Sequence, residues 1–286
     1  MPSLIDIRRR IRSVKNTQQI TKAMKMVSAA KLRRAQDRVI SARPYAAMLR
    51  QVLGNLAAAA ALDERVASNP LLAQRPERRI ALVLVTADKG LAGAFNSNLI
   101  KAAMKFASEH PEQQFEYLLV GRKGRDFYRK RSVTVAGEYT GLTAKVLYED
   151  AAGIAHGLMD RFAKEEIDAV YLINNEFKSV MAQKLAVSRV LPVEMPQHQQ
   201  PIDYIFEQPP AELLESLLPR YVEMEIYRAL LESAAAEHAA RMTAMESATS
   251  NAAEMIERLT LYMNRVRQAS ITKEIIEVVS GALALE

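Results

Sequence analysis

Apolar and small side chains return every seven residues along the last quarter of the chain. One row runs Met224, Leu231, His238, Met245, Ala252, Leu259, Val266, and a second runs Ala235, Met242, Thr249, Ile256, Met263. The rows alternate at spacings of three and four, which is the seam of a coiled coil. Between Arg220 and Ser280 there is neither Pro nor Gly. These residues are mostly strong helix formers, and at 1.5 Å per residue they predict a rod of roughly 90 Å. The same alternation opens the chain through Leu4, Ile7, Ile11, Val14, Gln18, Thr21, Lys25, Ser28, Leu32, Ala35, Val39 and Ala42. A seam needs a partner, so the two ends of the chain are expected to pair. They run antiparallel if a compact domain joins them at one end. Gln18, Lys25, Ser28 and Thr249 place polar groups in that seam, where they cost stability and specify register. Ile20, Met24 and Val27 form a second apolar stripe that a two-helix pair leaves in water. It covers either the protein's own globular part or the surface of other chains.

The middle of the chain reads differently. RIALVLVTA (79–87), FEYLLVG (115–121), DAVYLINNEF (168–177) and LAVSRVLPV (185–193) are short, apolar and rich in strand formers. SNLIKAAMKFASEH (97–110) is an amphipathic helix with Ser97 as its cap, and residues 143–166 are a second helix. Strands alternating with helices predict an α/β layer with a parallel sheet. The expected organisation is an N-terminal coiled-coil helix (1–60), a linker (61–77), a Rossmann-like α/β domain (78–200) and a C-terminal coiled-coil helix (201–286). Across the boundary between the last two segments, the five prolines of residues 192–210 form an irregular return path.

Charge adds a direction to this picture. Residues 1–50 hold 13 Lys/Arg against Asp6 and Asp37, while the whole chain is +6, so the remainder is acidic by five charges. A helix this basic suggests an acidic partner: nucleic acid, a membrane surface or acidic protein loops. Tyr45 is the only aromatic residue there, so base stacking has little to work with. The chain has no Cys, which excludes disulfides and thiolate chemistry. No stretch approaches the ~20 apolar residues of a membrane span. The start, MPSLIDIRRR, lacks an apolar signal region, and no secretory signal is read from it.

Candidate chemistry is sparse. TADKGLAGAFN (86–96) follows the first strand, where a glycine-rich turn and a helix N-terminus can hold phosphate. Its Gly90-x-x-Gly93 spacing fits neither dinucleotide nor P-loop fingerprints. A tight structural turn or a docking loop is the better reading. GRKGRD (121–126) reads as another turn with a solvated basic face. His110, His156, His198 and His238 are scattered without ligand spacing, and no nucleophile elbow is present. No catalytic, cofactor or metal residue is assigned. The closing ITKEIIEVVSGALALE is apolar after Glu277, so it either docks on the protein's own core or is sheathed by another chain.

This tail, from Ile271 to Ala284, resembles the signature of the gamma subunit of the F-type ATP synthase. Asn264 and Arg267-Gln-Ala-Ser270 before it, IRRRIRSVKNTQQITKAMKMVSAAKLRRAQ (7–36), TADKGLAGAFNSN and DYIFEQPPAELLESLLPRY are also similar to that family. The resemblance implies a rotor shaft: an antiparallel coiled coil of the terminal helices inside a hexamer of alpha and beta subunits. The α/β domain would sit beside the epsilon subunit and the membrane c-ring. It implies a subunit without bond chemistry or cofactor, peripheral to the cytoplasmic face of a bacterial inner membrane, and no nucleic-acid partner. Rotor–stator contact positions carry over to Met24, Arg241, Arg267, Gln268, Thr272 and Glu274. Two rivals stand beside it: a coiled-coil adaptor binding nucleic acid through its basic arm, and a Rossmann-like enzyme with a helical appendage.

Overall fold

A computed structural model describes residues 3–60, 63, 66, 68–180, 182–195 and 207–283, with side chains at 281–283 left aside. The first helix, α1, runs Leu4–Ala59. Then come β1 (Arg79–Val85), α2 (Phe95–Glu109), β2 (Gln114–Val120), α3 (Arg122–Tyr128) and β3 (Thr134–Tyr139). They are followed by α4 (Tyr148–Ala163), β4 (Ala169–Phe177), β5 (Gln183–Leu191) and α5 (Pro210–Leu283). The chain divides into two compact units, one of Met1–Ser28 with Met242–Glu286 and one of Ala29–Arg241.

In the unit of the chain ends, the three-four rows are the buried ones. Ile7, Thr21 and Ser28 are buried, and Leu4, Ile11, Val14, Gln18 and Lys25 are half-buried, while Arg8, Arg9, Arg10 and Arg12 between them lie in solvent. On α5, Met245 and Ala252 are buried, and Thr249, Ile256, Leu259, Met263 and Val266 are half-buried. The polar seam residues find each other. The Thr21 and Thr249 hydroxyls are 2.8 Å apart, and Lys25 Nζ lies 2.7 Å from Glu246 Oε1. As the α1 number rises the α5 number falls, so the pairing is antiparallel. A buried hydroxyl that meets a hydroxyl avoids the desolvation cost it would suffer against a methyl group.

In the other unit, the seam on α1 continues through Leu32 and Val39 to Leu49, Leu53 and Leu56, all buried, as is Ala60 just past the helix. Here too the pairing is antiparallel: Arg50 meets Glu225 at 2.8 Å and Arg43 meets Glu232 at 3.7 Å. From Val222 to Ala239 α5 is enclosed on nearly every side. Its composition changes to match, because Ala229, Ala234, Ala235, Ala236 and Ala239 let neighbouring elements approach its backbone. The helix extends ahead of the Gly- and Pro-free run that starts at Arg220 and contains Pro219 in its interior. Proline there removes one ladder hydrogen bond. The buried series Ala211, Leu214, Leu218, Val222, spaced by three and four, holds the turn helical nonetheless.

The same unit contains a five-stranded sheet in the order β3-β2-β1-β4-β5. The first four strands are mutually parallel, but β5 pairs antiparallel with β4. The expected all-parallel sheet is thus corrected to a mixed one. The short β4–β5 connection leaves no room for the crossover a parallel partner needs. The central strand β1 is buried from its second residue onward. Leu82 and Leu84 join Phe95, Leu99 and Ala103 of α2, Tyr117 and Leu119 of β2, and Ala236 of α5 in one cluster. Ala81, Val83 and Val85 alternate to the opposite face.

Local differences from the sequence expectation have local causes. Helix α2 starts at Phe95, and Ser97 lies inside it, its hydroxyl donating to Ala94 O at 3.0 Å. Strand β3 carries little signal in the sequence, being a short edge strand with Gly137 in its middle. GRKGRD is no mere turn: Gly121 bends the chain at φ 92° and α3 follows at once. The expected second helix (143–166) divides into a 3-10 turn at Leu142–Ala144 and α4. The Pro-rich return path at 196–206 and part of the 61–77 linker lie outside the described residues.

Gly121 and Gly157 provide a paired check. A Cβ at Gly121 would lie 2.1 Å from Thr86 O on a left-handed backbone, so Gly121→Ala should cost more than about 2 kcal/mol. A Cβ at Gly157, inside α4, meets nothing within 4 Å, so Gly157→Ala should add about 0.5–1 kcal/mol. Urea denaturation of the two variants measures both signs.

Candidate functional site

The glycine-rich loop after β1 sits where the strand order reverses, between β2 and β4, the position at which doubly wound sheets bind ligands. In this chain several of its polar groups are engaged internally. Thr86 Oγ1 donates to Val120 O at 2.9 Å and accepts from Gly124 N at 2.9 Å. Ala87 N donates to Asn96 Oδ1 at 2.9 Å, and Lys123 N to Ala87 O at 3.0 Å. The Asp88 carboxylate accepts from Arg122 N, Gly141 N and the Thr143 hydroxyl at 3.0 to 3.2 Å. Such a carboxylate repels a phosphate. The crevice is also covered by the chain itself, since Ala236 packs in the cluster beneath the loop and Ala240 packs against it.

One turn further along α5, Arg241 turns its guanidinium into the loop. Nη2 donates to Gly90 O at 3.2 Å and Lys89 O at 3.3 Å, and Nε to Gly90 O at 3.3 Å. Glu237, one helical turn back, balances the charge at 2.7 Å. Burial pushes the Glu237 carboxyl above its usual range, and the adjacent Arg241 works against that shift. Just past the held carbonyls, Leu91 adopts φ 63° and exposes 63% of its surface. A left-handed leucine costs about 1–2 kcal/mol, and its exposed side chain gains little burial in return. The loop is therefore held from behind, with Lys89 and Leu91 facing outward.

The six residues assigned by resemblance fall into two groups. Met24 is half-buried on α1, between the exposed Ile20 and Val27. Arg267, Gln268, Thr272 and Glu274 are all exposed on α5. Thr272 Oγ1 donates to Gln268 O at 2.9 Å, and Ser270 Oγ to Glu274 Oε1 at 3.2 Å. Ile271, Ile275, Ile276, Val278 and Val279 of the same stretch are exposed too, while side chains from Gly281 onward lie outside the described residues. Arg241 stands apart, only 8% exposed and engaged within the α/β unit. Its partner Glu237 is not among the residues expected from the resemblance. The i, i+4 spacing of Glu and Arg was the available signal.

Beside Arg241 lies a concavity of about 180 Å³ lined by Lys31, Arg34 and Arg38 of α1, by Thr143 and by His238. Burial, then Arg241 and Lys31, lower the His238 imidazole to about 4. The unfolded chain binds that proton near the ordinary 6.5, so between these values the unfolded state holds more protons than the folded one. The contribution of this group is therefore fully present above pH 6.5 and is lost as pH falls towards 4. Wild-type stability should drop over this window by up to about 3 kcal/mol more than that of His238→Leu, as measured by urea denaturation at pH 7 and pH 4.5.

The family model described as ATP synthase matches residues 3–285. The chain is 73% identical over 286 residues to the ATP synthase gamma chain of Solibacter usitatus (strain Ellin6076), covering all of both chains. It is 53% identical over 291 residues to that of Anaeromyxobacter sp. (strain Fw109-5), again over both full lengths. Among solved structures it resembles a chain of the Tetrahymena thermophila mitochondrial ATP synthase central stalk and c-ring, with a TM-score of 0.59 and 26% identity. That match covers 80% of this chain and 99% of the other. A chain of the Euglena gracilis mitochondrial ATP synthase rotor shares the fold, with a TM-score of 0.66 at 18% identity over 94% of this chain and 98% of that one. With a family model spanning nearly every residue and a full-length relative at 73% identity, the chain belongs to the ATP synthase gamma chain family.

Proposed function

We propose that this chain is the central-stalk rotor of a proton-translocating F-type ATP synthase, passing torque between a membrane c-ring and the catalytic hexamer of alpha and beta subunits. The helices of residues 1–60 and 201–286 are the shaft. The α/β domain of residues 78–200, joined through 61–77, meets the epsilon subunit and the c-ring. The chain works at the cytoplasmic face of a bacterial plasma membrane, and no described helix is long and apolar enough to cross it. Bond chemistry belongs to the beta subunits. The relatives give no support to the nucleic-acid adaptor reading.

The observation that carries this reading is the bare apolar surface on the unit of the helix ends. Ile20, Met26 and Val27 on α1, and Ile271, Ile275, Ile276, Val278 and Val279 on α5, are each about half exposed or more. Apolar residues repeated along a helix and left in water mark a surface meant for other chains. The cations of α1 fit the same role, because Arg8, Arg10, Arg12, Lys15 and Lys22 are exposed. Exposed charges attract acidic loops over a screened, forgiving range, which suits a surface that turns past three equivalent partners. In this role Met24, Arg267, Gln268, Thr272 and Glu274 belong to the rotor–stator contact. The spans 4–43 and 220–280, free of Gly and Pro, fit the transmission of torque, since sharp bends concentrate at such residues; Pro44, Gly54 and Pro219 lie outside them.

Co-expression with alpha and beta subunits from the same organism should give one copy of this chain with three alpha and three beta subunits by native mass measurement. An assembly lacking it, or the chain alone, would overturn the reading. Ile276→Ser combined with Val279→Ser should leave the stability of the isolated chain within about 0.5 kcal/mol, because both side chains are already exposed. The same pair should weaken retention in the assembled complex, measured as the fraction of chain released on dilution.

A further inference from the structure

We infer that Arg241 influences rotary coupling as a positioning residue, through the loop it holds, and touches no stator subunit itself; the inference rests on the rotor reading. Arg241 is among the buried charged residues, so little of its guanidinium is left for another chain. Its donors go to two backbone carbonyls, Lys89 O and Gly90 O, and to the Glu237 carboxylate. Nη1 lies 3.4 Å from His238 Nδ1.

What Arg241 holds is shaped for contact. Drawing the Lys89 and Gly90 carbonyls inward leaves the Lys89 and Leu91 side chains outward, one cationic and one apolar. Leu91 is left-handed. A residue in that conformation persists only where its surroundings over-determine it, and such residues gather at contact sites. The surroundings here are Arg241 before it, Asn96 and Asp88 at the loop's base, and the Phe95 N to Ala92 O hydrogen bond after it. The partner surface this pair fits is an apolar recess beside a carboxylate. Rigidity of the loop matters because a side chain already placed loses less freedom when it binds.

Nη2 by itself reaches both carbonyls and the carboxylate, and Nε adds a second bond to Gly90 O that fixes the orientation of the planar group; a lysine ammonium has no second donor fixed in that plane. This separates positioning from direct charge contact. In the isolated full-length chain, Arg241→Gln and Arg241→Lys should each speed amide hydrogen exchange across residues 88–94 by roughly tenfold or more. Exchange in α4 should stay unchanged. In the assembled complex, both variants should lower protons pumped per ATP hydrolysed to a similar extent. In a Lys89→Gln, Leu91→Ser background, adding Arg241→Gln should bring no further loss.

Unchanged exchange at 88–94 would overturn the hold on the loop whatever the complex does. Full coupling with Arg241→Lys would overturn it in favour of a direct charge contact, as would losses that multiply in the triple variant. Faster exchange with unaltered coupling would overturn the functional role. Failure of the chain to enter a three-plus-three assembly counts against the rotor reading alone, since the exchange measurement needs no partner.

Discussion

The structure depends on two terminal helices, each with a seam that water does not favour, burying those seams against each other. The apolar row of α1 is interrupted by Gln18, Lys25 and Ser28, and α5 places His238 and Thr249 in its rows. A perfect heptad would form a stronger pair with less to fix its register. Here register comes from complementary polar contacts, the Thr21–Thr249 hydroxyl pair and the Lys25–Glu246 ion pair in one unit, and Arg50–Glu225 in the other. Surface ion pairs contribute little energy. Their value here lies in how poorly any shifted alignment would satisfy them.

The same helix solves two different packing problems along its length. From Val222 to Ala239, α5 is a core element, rich in alanine and enclosed by its own chain. Beyond Met242 it shows one buried stripe, and large apolar groups such as Ile275, Ile276 and Val278 remain in solvent. An isolated protein does not keep such a surface without a cost in solubility. One helix is thus enclosed by an α/β unit along one part and keeps large apolar groups in solvent along another.

A doubly wound sheet usually leaves its switch point open for a ligand. In this chain that crevice has become a structural joint. Ala236 fills the floor, Arg241 takes the carbonyls of the loop, and Asp88 binds backbone amides from two other connections. Doubly wound sheets often bind ligands at this point, but here the loop's Thr86, Asp88 and the Lys89 and Gly90 carbonyls are spent on internal hydrogen bonds, which is why likeness of fold says little about chemistry.

The sequence by itself determined the elements whose signal is periodic. Both seams, their partnership, the four most apolar strands and the mixed α/β class are legible, because burial of one face imposes a repeat on the residues that make it. The antiparallel direction followed once a compact domain was assumed to link the helices. The family signature was legible in ITKEIIEVVSGALALE, and a family model and full-length relatives bear it out. Only the tertiary structure decided that β5 runs antiparallel, that β3 exists at the sheet edge, and that Pro219 lies inside a helix. It also decided that Arg241 is buried while the other assigned residues are exposed or half-buried. Arg241 is adjacent to Lys89 and Gly90 through a fold that joins positions about 150 residues apart, and no local pattern records such a meeting. A repeat in sequence reports which face of an element avoids water, whereas the identity of what covers that face is a property of the packed chain.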